Sequence, residues 1–366
     1  MLIKQLCIDG VRNLEKLNLQ LAPNVNVFIG LNGSGKTSLL ESIYFLALGR
    51  SFRVANVDGI IGFDKTFAAV SAIYSDKSAQ QIKISTIKHK NKDKLNKIGG
   101  AQAGLSQIAL LAPTQIIHEG SSKLIFAEPE GRRKFLDWIV FYSNKDYQHL
   151  WRDFNRILQQ RNSVLKKHHK ETRGILKELD RMFVNLAEQI RMARQKTWQQ
   201  FYAVWLKCFD KLGFNSCIKP EISLFDGWSG DLSEKLIQNY EADFRLSFTT
   251  AGPHRADLYF SIENRAAKAV LSRGQGKAIS FSLILARSIF LQEQLDQNNT
   301  VSVLLIDDLC AELDNINGKK IIEFLLSFNQ KQQVVITSIK KNNLLNMLPK
   351  ESCQWFSMKR GKVNII

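Results

Sequence analysis

Paired cysteines are missing from this chain. Its 366 residues include five cysteines, at Cys7, Cys208, Cys217, Cys310 and Cys353. The number is odd, and no two of them form a Cys-x-x-Cys pair. This usage argues against a disulfide framework and against a zinc site, and it favours a reducing cytoplasm.

Long apolar runs are missing as well. No stretch is long enough to cross the hydrocarbon core of a bilayer. Residues 1–6 have no signal-peptide core. We also find no internal repeat and no low-complexity linker. The sequence therefore predicts a cytoplasmic protein with no membrane partner.

Acidic residues are too few to balance the basic ones. The chain has 51 Lys and Arg against 34 Asp and Glu, a formal net charge of +17. Such an excess predicts a polyanionic partner, either nucleic acid or an anionic surface. The alternative is that the charge serves only solubility.

The clearest positive feature is Gly-Leu-Asn-Gly-Ser-Gly-Lys-Thr at residues 30–37, which matches the phosphate-loop pattern G-x-x-x-x-G-K-[ST]. A short apolar run precedes it and a helix-spaced apolar pattern follows it, as a strand–loop–helix site requires. Glycines let backbone N–H groups face an anion, the lysine reaches phosphates, and the threonine hydroxyl binds Mg²⁺. We therefore predict an ATP and Mg²⁺ site made of Gly30, Leu31, Asn32, Gly33, Ser34, Gly35, Lys36 and Thr37.

Two acidic residues end a second apolar run, at residues 301–306. A carboxylate at the end of a strand beside a phosphate loop is the usual second Mg²⁺ ligand, and Asp307 fits that role. Asp308 is placed to polarise the attacking water as a general base. Gln115, in a loop upstream, is a candidate for sensing the γ-phosphate or its water, although an ordinary loop glutamine is an equal alternative.

A second helix start with the residues of an anion-binding site follows Leu271. A serine, a glycine and a helix start form a site for a phosphate, yet one phosphate loop already serves one nucleotide. We therefore predict that this segment serves the nucleotide of another protomer, the alternative being an ordinary capped helix. Its residues are Ser272, Arg273, Gly274 and Gln275.

The pattern of the chain predicts an α/β fold with an insertion. Residues 1–127 and 244–366 read as the two parts of an ATPase head, and residues 128–243 as a helical lobe between them. The lobe has few glycines or prolines and a basic surface. Its apolar spacing is that of helix packing rather than of a long coiled coil.

Basic residues cluster in two further places, a turn at residues 48–53 and a lysine-rich tract at residues 83–97. Both are candidates for contacts with DNA phosphates, and a solvated surface is the alternative for the tract. Neither shows a base-reading helix or a stacking platform, so no sequence specificity is predicted. The candidate residues are Arg50, Arg53, Lys88, Lys90 and Lys92.

Together these motifs resemble the ABC-type ATPases of the SMC group. The resemblance rests on the phosphate loop, Leu-Ser-Arg-Gly-Gln at residues 271–275, the Asp-Asp strand end and Ala-Glu-Leu-Asp at residues 311–314. Further motifs resemble the RecF family more narrowly: Leu-Gly-Arg-Ser-Phe-Arg at 48–53, Arg-Arg-Lys-Phe-Leu-Asp at 132–137, Gln-Arg-Asn at 160–162 and Gly-Pro-His-Arg at 252–255.

The resemblance implies a P-loop head with a short helical second lobe. It implies that ATP closes two copies into a homodimer, with the signature segment of one copy facing the nucleotide of the other. The closed dimer would bind single-stranded, gapped, duplex or junction DNA. With RecR and RecO it would assist recombinase loading and SOS induction, and slow, DNA-stimulated hydrolysis would reset it.

Two features bear on hydrolysis and on the main alternative. Thr337 and Ser338 stand where a switch histidine is expected, and Asp308 replaces a glutamate. Both features predict weak hydrolysis. In the second case the reason is that the aspartate side chain is shorter than that of glutamate and holds a water less well. The alternative function is the nucleotide-binding subunit of an ABC transporter, which the long basic insertion and the missing histidine disfavour.

Overall fold

The structure is a computed structural model. It describes residues 2–76, 79–126, 128–167, 172–214, 218–295, 301–308, 315–327, 332–339, 348 and 353–366. The chain divides into two compact units, of which the first comprises residues 1–122, 209–215 and 280–366. The second comprises residues 123–208 and 216–279.

The first unit contains an antiparallel sheet in the order β2-β1-β4-β5-β6-β7. The period-2 pattern of the sequence is confirmed in β2, where Leu17 and Leu19 are buried and their neighbours are exposed. Such alternation is expected of a sheet that packs on one face only. The strands are β1 (Leu2–Asp9), β2 (Leu17–Gln20), β4 (Phe67–Ser75), β5 (Gln81–His89), β6 (Lys94–Ile98) and β7 (Ala101–Gln102).

A second sheet of the same unit has the order β15-β14-β3-β13-β12-β8, and its strands are parallel except for β15. Strand β12 is buried along its whole length, as a continuous apolar run in a parallel sheet predicts. The strands are β3 (Val25–Ile29), β8 (Thr114–Ile117), β12 (Ser302–Ile306), β13 (Gln332–Ser338), β14 (Cys353–Lys359) and β15 (Lys362–Ile365).

Helix α1 (Lys36–Leu48) is the centre of the first unit's core. Nearly all of its side chains are buried, including the apolar Leu39, Leu40 and Phe45. They join one hydrophobic cluster with residues of both sheets, in which the rings of Phe28 and Phe356 stack at 4.4 Å. The helix is therefore held by packing around most of its surface, and its first residues anchor the end of the loop that leads into it. The chain also forms α2 (Leu105–Leu111) and α10 (Asn315–Ser327).

The second unit is mainly helical, as the sequence predicts. Its helices are α3 (Pro129–Ser143), α4 (Tyr147–Lys166), α6 (Leu232–Gln238), α7 (Tyr240–Leu246) and α8 (Ala267–Val270). Two longer helices, α5 (Thr172–Leu212) and α9 (Arg273–Leu295), contribute residues to both units. A small antiparallel sheet contains β9 (Glu221–Phe225), β10 (Asp257–Ile262) and β11 (Arg265–Ala266).

The second unit runs to residue 279, beyond the boundary at residue 243 that the sequence pattern suggested. Contacts with β9 and α3 explain why the segment after residue 243 belongs to this unit. Strand β10 pairs with β9, and Arg132 of α3 forms an ion pair with Asp257 at the start of β10, Nε to Oδ1 at 2.7 Å. Its neighbour Arg133 donates to the carbonyl of Ala256 at 3.0 Å. Both arginines thus bind the segment after residue 243 to α3.

Two further motifs of this unit each contribute one side chain to a buried ion pair: Arg161 in Gln-Arg-Asn, and Asp137 as the partner of Arg194. Arg161 is fully buried and donates to Asp180 and Asp243, each at 2.7 Å. Arg194 is 1% exposed and pairs with Asp137 at 2.7 Å. Removing one partner of a buried ion pair leaves an uncompensated charge and costs about 3–5 kcal/mol. These motif residues therefore stabilise the interior of the unit.

His254, in the Gly-Pro-His-Arg motif, is part of the same interior. Its Nε2 lies 2.9 Å from the carbonyl oxygen of Thr249. Its Nδ1 is buried with no hydrogen-bond partner among the described residues. Burial lowers the pKa of His254 to about 4, although the hydrogen bond to Thr249 opposes the shift. The imidazole is therefore neutral in the folded chain.

We predict that His254 makes the folded chain less stable at acid pH. Between pH 6.5 and pH 4 the unfolded chain binds a proton at this residue and the folded chain does not, so the free energy of unfolding falls as pH falls. The slope approaches about 1.4 kcal/mol per pH unit within that window. His254→Gln should flatten the curve measured by chemical denaturation.

The matched control is His149→Gln, the same change at an exposed histidine of the same unit. It should leave the pH dependence as in the unmodified chain. An unchanged curve in His254→Gln would contradict the assignment.

Candidate nucleotide site

The phosphate loop has the backbone geometry that its glycines predict. Gly33 and Gly35 adopt φ angles of 77° and 108°, in the left-handed region that side chains disfavour. A Cβ atom at Gly30 would lie 2.4 Å from the carbonyl oxygen of Met358. The loop thus turns tightly between β3 and α1, and its glycines keep the turn free of side chains.

Lys36 folds back over this loop. Its Nζ donates to the carbonyl oxygens of Gly30 at 2.7 Å and Leu31 at 3.1 Å. Burial lowers the pKa of Lys36, whereas the charges of Asp308 and Asp307 act in the opposite direction. The ammonium group is therefore held at the loop by weak neutral acceptors, which an anionic phosphate can replace with stronger charged contacts.

The parallel sheet brings Asp307 to the phosphate loop. Strands β3, β13 and β12 are neighbours, so their carboxyl ends meet at one edge of the sheet. There the hydroxyl of Thr37 donates to Asp307 Oδ1 at 3.2 Å. The hydroxyl of Thr337, at the end of β13, donates to the same oxygen at 2.7 Å. The structure thus places the two residues that the sequence predicts as Mg²⁺ ligands within contact distance.

Asp308 follows at the same edge. Its backbone N–H donates to the Thr337 hydroxyl at 3.0 Å, and its φ of 46° is in the left-handed region. One threonine therefore orients both acidic residues. It occupies the position where the sequence lacks a histidine, and no sequence motif predicts this role for it.

Lys36, Thr37, Asp307 and Asp308 line a cavity of about 850 Å³, the size of a small-molecule site. The wall also includes the phosphate-loop residues from Asn32 to Thr37. Within the described chain, the hydroxyl oxygen of Ser34 is buried without a hydrogen-bond partner. A phosphate bound in the loop would supply that partner, so the residues fit a nucleotide. The remaining lining residues are Arg12, Asn13, Leu14, Ser38, Arg53, Ile61, Gly62, Phe63, Asp64 and Lys65.

Arg12 lines this cavity and binds Glu41 behind it, although neither residue is part of a sequence motif. Glu41 of α1 is fully buried and receives two hydrogen bonds from Arg12, at 3.0 Å and 2.9 Å. Arg53, a candidate DNA contact, lies 3.5 Å from the same carboxylate and is 44% exposed. The signal for this contact in the sequence is weak: Glu41 lies four residues, about one helical turn, after Thr37.

The other candidate DNA contacts differ in their surroundings. Arg50 is exposed, with its guanidinium 6.0 Å from the centre of the Tyr44 ring. Lys90 and Lys92 are exposed at the tip of the hairpin formed by β5 and β6. Lys88 instead forms an ion pair with Asp58 at 2.7 Å and is 12% exposed. Lys88 is therefore the least available of these cations.

The predicted signature segment lies in the second unit and forms the start of α9. The Ser272 hydroxyl accepts from the N–H of Gln275 at 3.2 Å, and the Gln275 side chain accepts from the N–H of Ser272 at 2.9 Å. This reciprocal pair is a capping box. Ser272, Arg273 and Gly274 are exposed. The segment is thus both an ordinary helix cap and an accessible helix N-terminus.

Gln115 is not among the residues that line the cavity. It lies in β8 with its side chain buried, and its Oε1 accepts from Arg287 Nε at 2.7 Å. The geometry gives this residue a contact inside the first unit.

The Ala-Glu-Leu-Asp motif at residues 311–314 lies outside the described residues. Within the described ranges, no group of three or more His, Cys, Asp and Glu side chains is arranged to hold a metal ion. A search of those same ranges finds no helix with the length and apolar character needed to cross a membrane.

Comparison with known proteins identifies relatives along the whole chain. A sequence model of the family described as "RecF/RecN/SMC N terminal domain" matches residues 2–364. The chain is 34% identical over 372 residues to "DNA replication and repair protein RecF" of Pseudoalteromonas translucida (strain TAC 125), with 99% of each chain covered.

Solved structures agree with this relationship. One described as "Structure of the recombination mediator protein RecF-ATPrS in RecFOR pathway" matches with a TM-score of 0.85 at 26% identity, covering 100% of this chain and 98% of the other. A Smc head domain from Pyrococcus furiosus matches with a TM-score of 0.59 at 16% identity, covering 100% and 96%. The latter supports the fold alone, an SMC-type ATPase head.

We predict that Thr337 is needed to hold the acidic pair. Thr337→Val keeps the shape of the side chain but removes the hydroxyl that accepts from the Asp308 N–H and donates to Asp307 Oδ1. The free energy of unfolding should fall by about 1–3 kcal/mol, because two hydrogen bonds worth about 0.5–1.5 kcal/mol each are lost. Chemical denaturation measures this, and binding of a fluorescent ATP analogue should weaken in parallel.

Thr66→Val is the matched control, because Thr66 belongs to the same unit and its side chain is exposed. It should change neither quantity. Equal stability of Thr337→Val and the unmodified chain would contradict the role assigned to Thr337.

Proposed function

The chain belongs to the RecF family of DNA replication and repair proteins, and from that premise we propose that it is an ATP-gated DNA-binding protein of recombinational repair. The observation that carries the proposal is the contact of Thr37 with Asp307 beside Lys36, inside a cavity of nucleotide size. The chain matches RecF proteins over almost its whole length, and these matches give no support to the transporter alternative.

We propose that Thr37 and Asp307 hold Mg²⁺ together with nucleotide phosphates. A hydroxyl and a carboxylate are the hard oxygen donors that this ion prefers, and Mg²⁺ usually takes only one or two protein ligands beside phosphates. The ion would neutralise phosphate charge during transfer. Lys36 would replace its carbonyl contacts with phosphate oxygens, and Asp308 would orient the attacking water. Gln115 stays a weaker candidate for this step, because its oxygen already accepts from Arg287.

The composite site is the second part of the proposal. The helix N-terminus at residues 272–275, of which residues 272–274 are exposed, suits the γ-phosphate of a nucleotide bound to another copy, because the dipole of α9 favours an anion there. ATP would then hold two copies together, and slow hydrolysis would release them. The measured mass in solution with and without a non-hydrolysable ATP analogue tests this directly.

DNA is the proposed polyanionic partner. The exposed Arg50, Lys90 and Lys92, the partly exposed Arg53 and the net charge of +17 support contacts with phosphates rather than with bases. RecR and RecO are the proposed protein partners, since the matching solved structure is described as part of the RecFOR pathway. In that setting the closed dimer would assist recombinase loading at single-stranded, gapped DNA, and thereby SOS induction.

Lys36→Ala should abolish tight nucleotide binding. Loss of a charged hydrogen bond costs about 2–3 kcal/mol, or roughly 30- to 150-fold in Kd. Titration with a fluorescent ATP analogue gives the affinity, and light scattering gives the dimer. Both should be lost, while Lys16→Ala, a change at an exposed lysine away from the cavity, should lose neither. A dimer that still forms with the analogue would refute the coupling.

Ser272→Ala should separate binding from dimerisation. The isolated copy should bind nucleotide within about threefold of the unmodified affinity, a difference below 1 kcal/mol, and the ATP-induced dimer should be lost. Loss of the helix cap costs about 1 kcal/mol by itself. Asp231→Ala controls for that cost, because Asp231 caps α6 by accepting from Glu234 N–H at 2.9 Å. Weakened nucleotide binding by monomeric Ser272→Ala would refute the composite site.

A further inference from the structure

Glu41 holds Arg12 in an unusual position. The carboxylate is fully buried one helical turn after Thr37, and it receives two hydrogen bonds from the guanidinium of Arg12. Arg12 has a φ of 50°, in the left-handed region that few arginines adopt. Its N–H donates to the carbonyl of Ile60 at 2.9 Å. The ion pair thus fixes a strained residue at the wall of the nucleotide cavity.

The same carboxylate organises the basic turn after α1. The Ser51 hydroxyl donates to Glu41 Oε1. The Ser51 oxygen in turn accepts from the N–H groups of Arg53 at 2.9 Å and Val54 at 3.1 Å. The guanidinium of Arg53 lies 3.5 Å from Glu41 Oε2. The backbone and the side chain of the turn are therefore both tied to Glu41.

One buried carboxylate thus serves two arginines. The cluster carries one negative and two positive charges, and both arginines line the cavity that contains the phosphate loop. A buried carboxylate depends on its cations, while each guanidinium also binds phosphate well. An anion that binds one of these arginines competes with Glu41 for its guanidinium. It therefore changes the ion pair between Glu41 and the other arginine.

We propose that Glu41 is a positioning residue that couples two phosphate contacts, that of the nucleotide at Arg12 and that of the DNA backbone at Arg53. The inference rests on the proposed function, because it takes the second anion to be DNA. Glu41 touches neither ligand itself. It sets the positions of the two guanidiniums and so links the affinity for one ligand to the presence of the other.

The test is the ratio of DNA affinities with and without a non-hydrolysable ATP analogue and Mg²⁺. The full chain is titrated against a fluorescent single-stranded oligonucleotide by anisotropy. In the unmodified chain we expect the ratio to be about fivefold or more, the lower range of coupling between sites. Glu41→Gln keeps the shape but removes the charge, and its ratio should approach one. A purely structural residue would weaken both affinities and leave the ratio unchanged.

Arg50→Ala is the matched control on the same turn. Arg50 lies over the ring of Tyr44, so the variant should weaken DNA binding and keep the full ratio. Ser51→Ala leaves every charge of the cluster in place and is the second route if Glu41→Gln fails to fold. It should reduce the ratio at least twofold.

The outcomes are distinguishable. A ratio near one in the unmodified chain would overturn the proposed function together with this inference. A full ratio in Glu41→Gln, or in Ser51→Ala where the first variant does not fold, would overturn the inference alone. Loss of the ATP-induced dimer in Glu41→Gln, measured by light scattering, would also overturn it, because Glu41 would then act on assembly.

Discussion

The hydrogen bonds that converge on Asp307 are the interaction on which the site depends. The Thr37 hydroxyl approaches this carboxylate from the phosphate loop, and the Thr337 hydroxyl approaches it from the neighbouring strand. Because β3, β13 and β12 are parallel neighbours, three distant parts of the sequence meet at one edge. Any shift of register in this sheet would separate the carboxylate from the loop. The completely buried core around α1 prevents such a shift.

Buried charge is the second constraint, and it recurs in both units. Glu41, Arg161 and Arg194 are buried charged side chains with specific partners. Charged groups are expensive to bury, and they are tolerated only when partners satisfy them with good geometry. In the second unit the pairs stabilise the interior, with Arg132 and Arg133 joining them. In the first unit Arg12, which is paired with Glu41, lines the cavity. A buried ion pair can therefore also orient a side chain for ligand binding there.

The sequence predicted the elements around the phosphate loop well, because their patterns are local. Residues 25–29 and 301–306 are mainly apolar, with Asn26 and Ser302 as the polar exceptions, and they form the buried strands β3 and β12. The motifs alone predict that Thr37 and Asp307 bind the same Mg²⁺ ion, and the two side chains are in contact. Lys88 shows the limit of such reasoning. It belongs to a lysine-rich tract, yet its ammonium group forms an ion pair with Asp58, which lies earlier in the chain in the short 3-10 helix Val57–Ile60.

The phosphate loop, the acidic strand end, the capped helix at Ser272 and the basic character of the chain were determined by the sequence itself. Each depends on residues that are neighbours along the chain, where spacing fixes geometry. Only the tertiary structure decided that Thr337 orients the acidic pair, that segment 244–279 packs with the second unit, and that Glu41 holds Arg12 and Arg53. Those contacts join residues far apart in the chain. Their partners are selected by burial and charge satisfaction in the folded core, which no local pattern encodes.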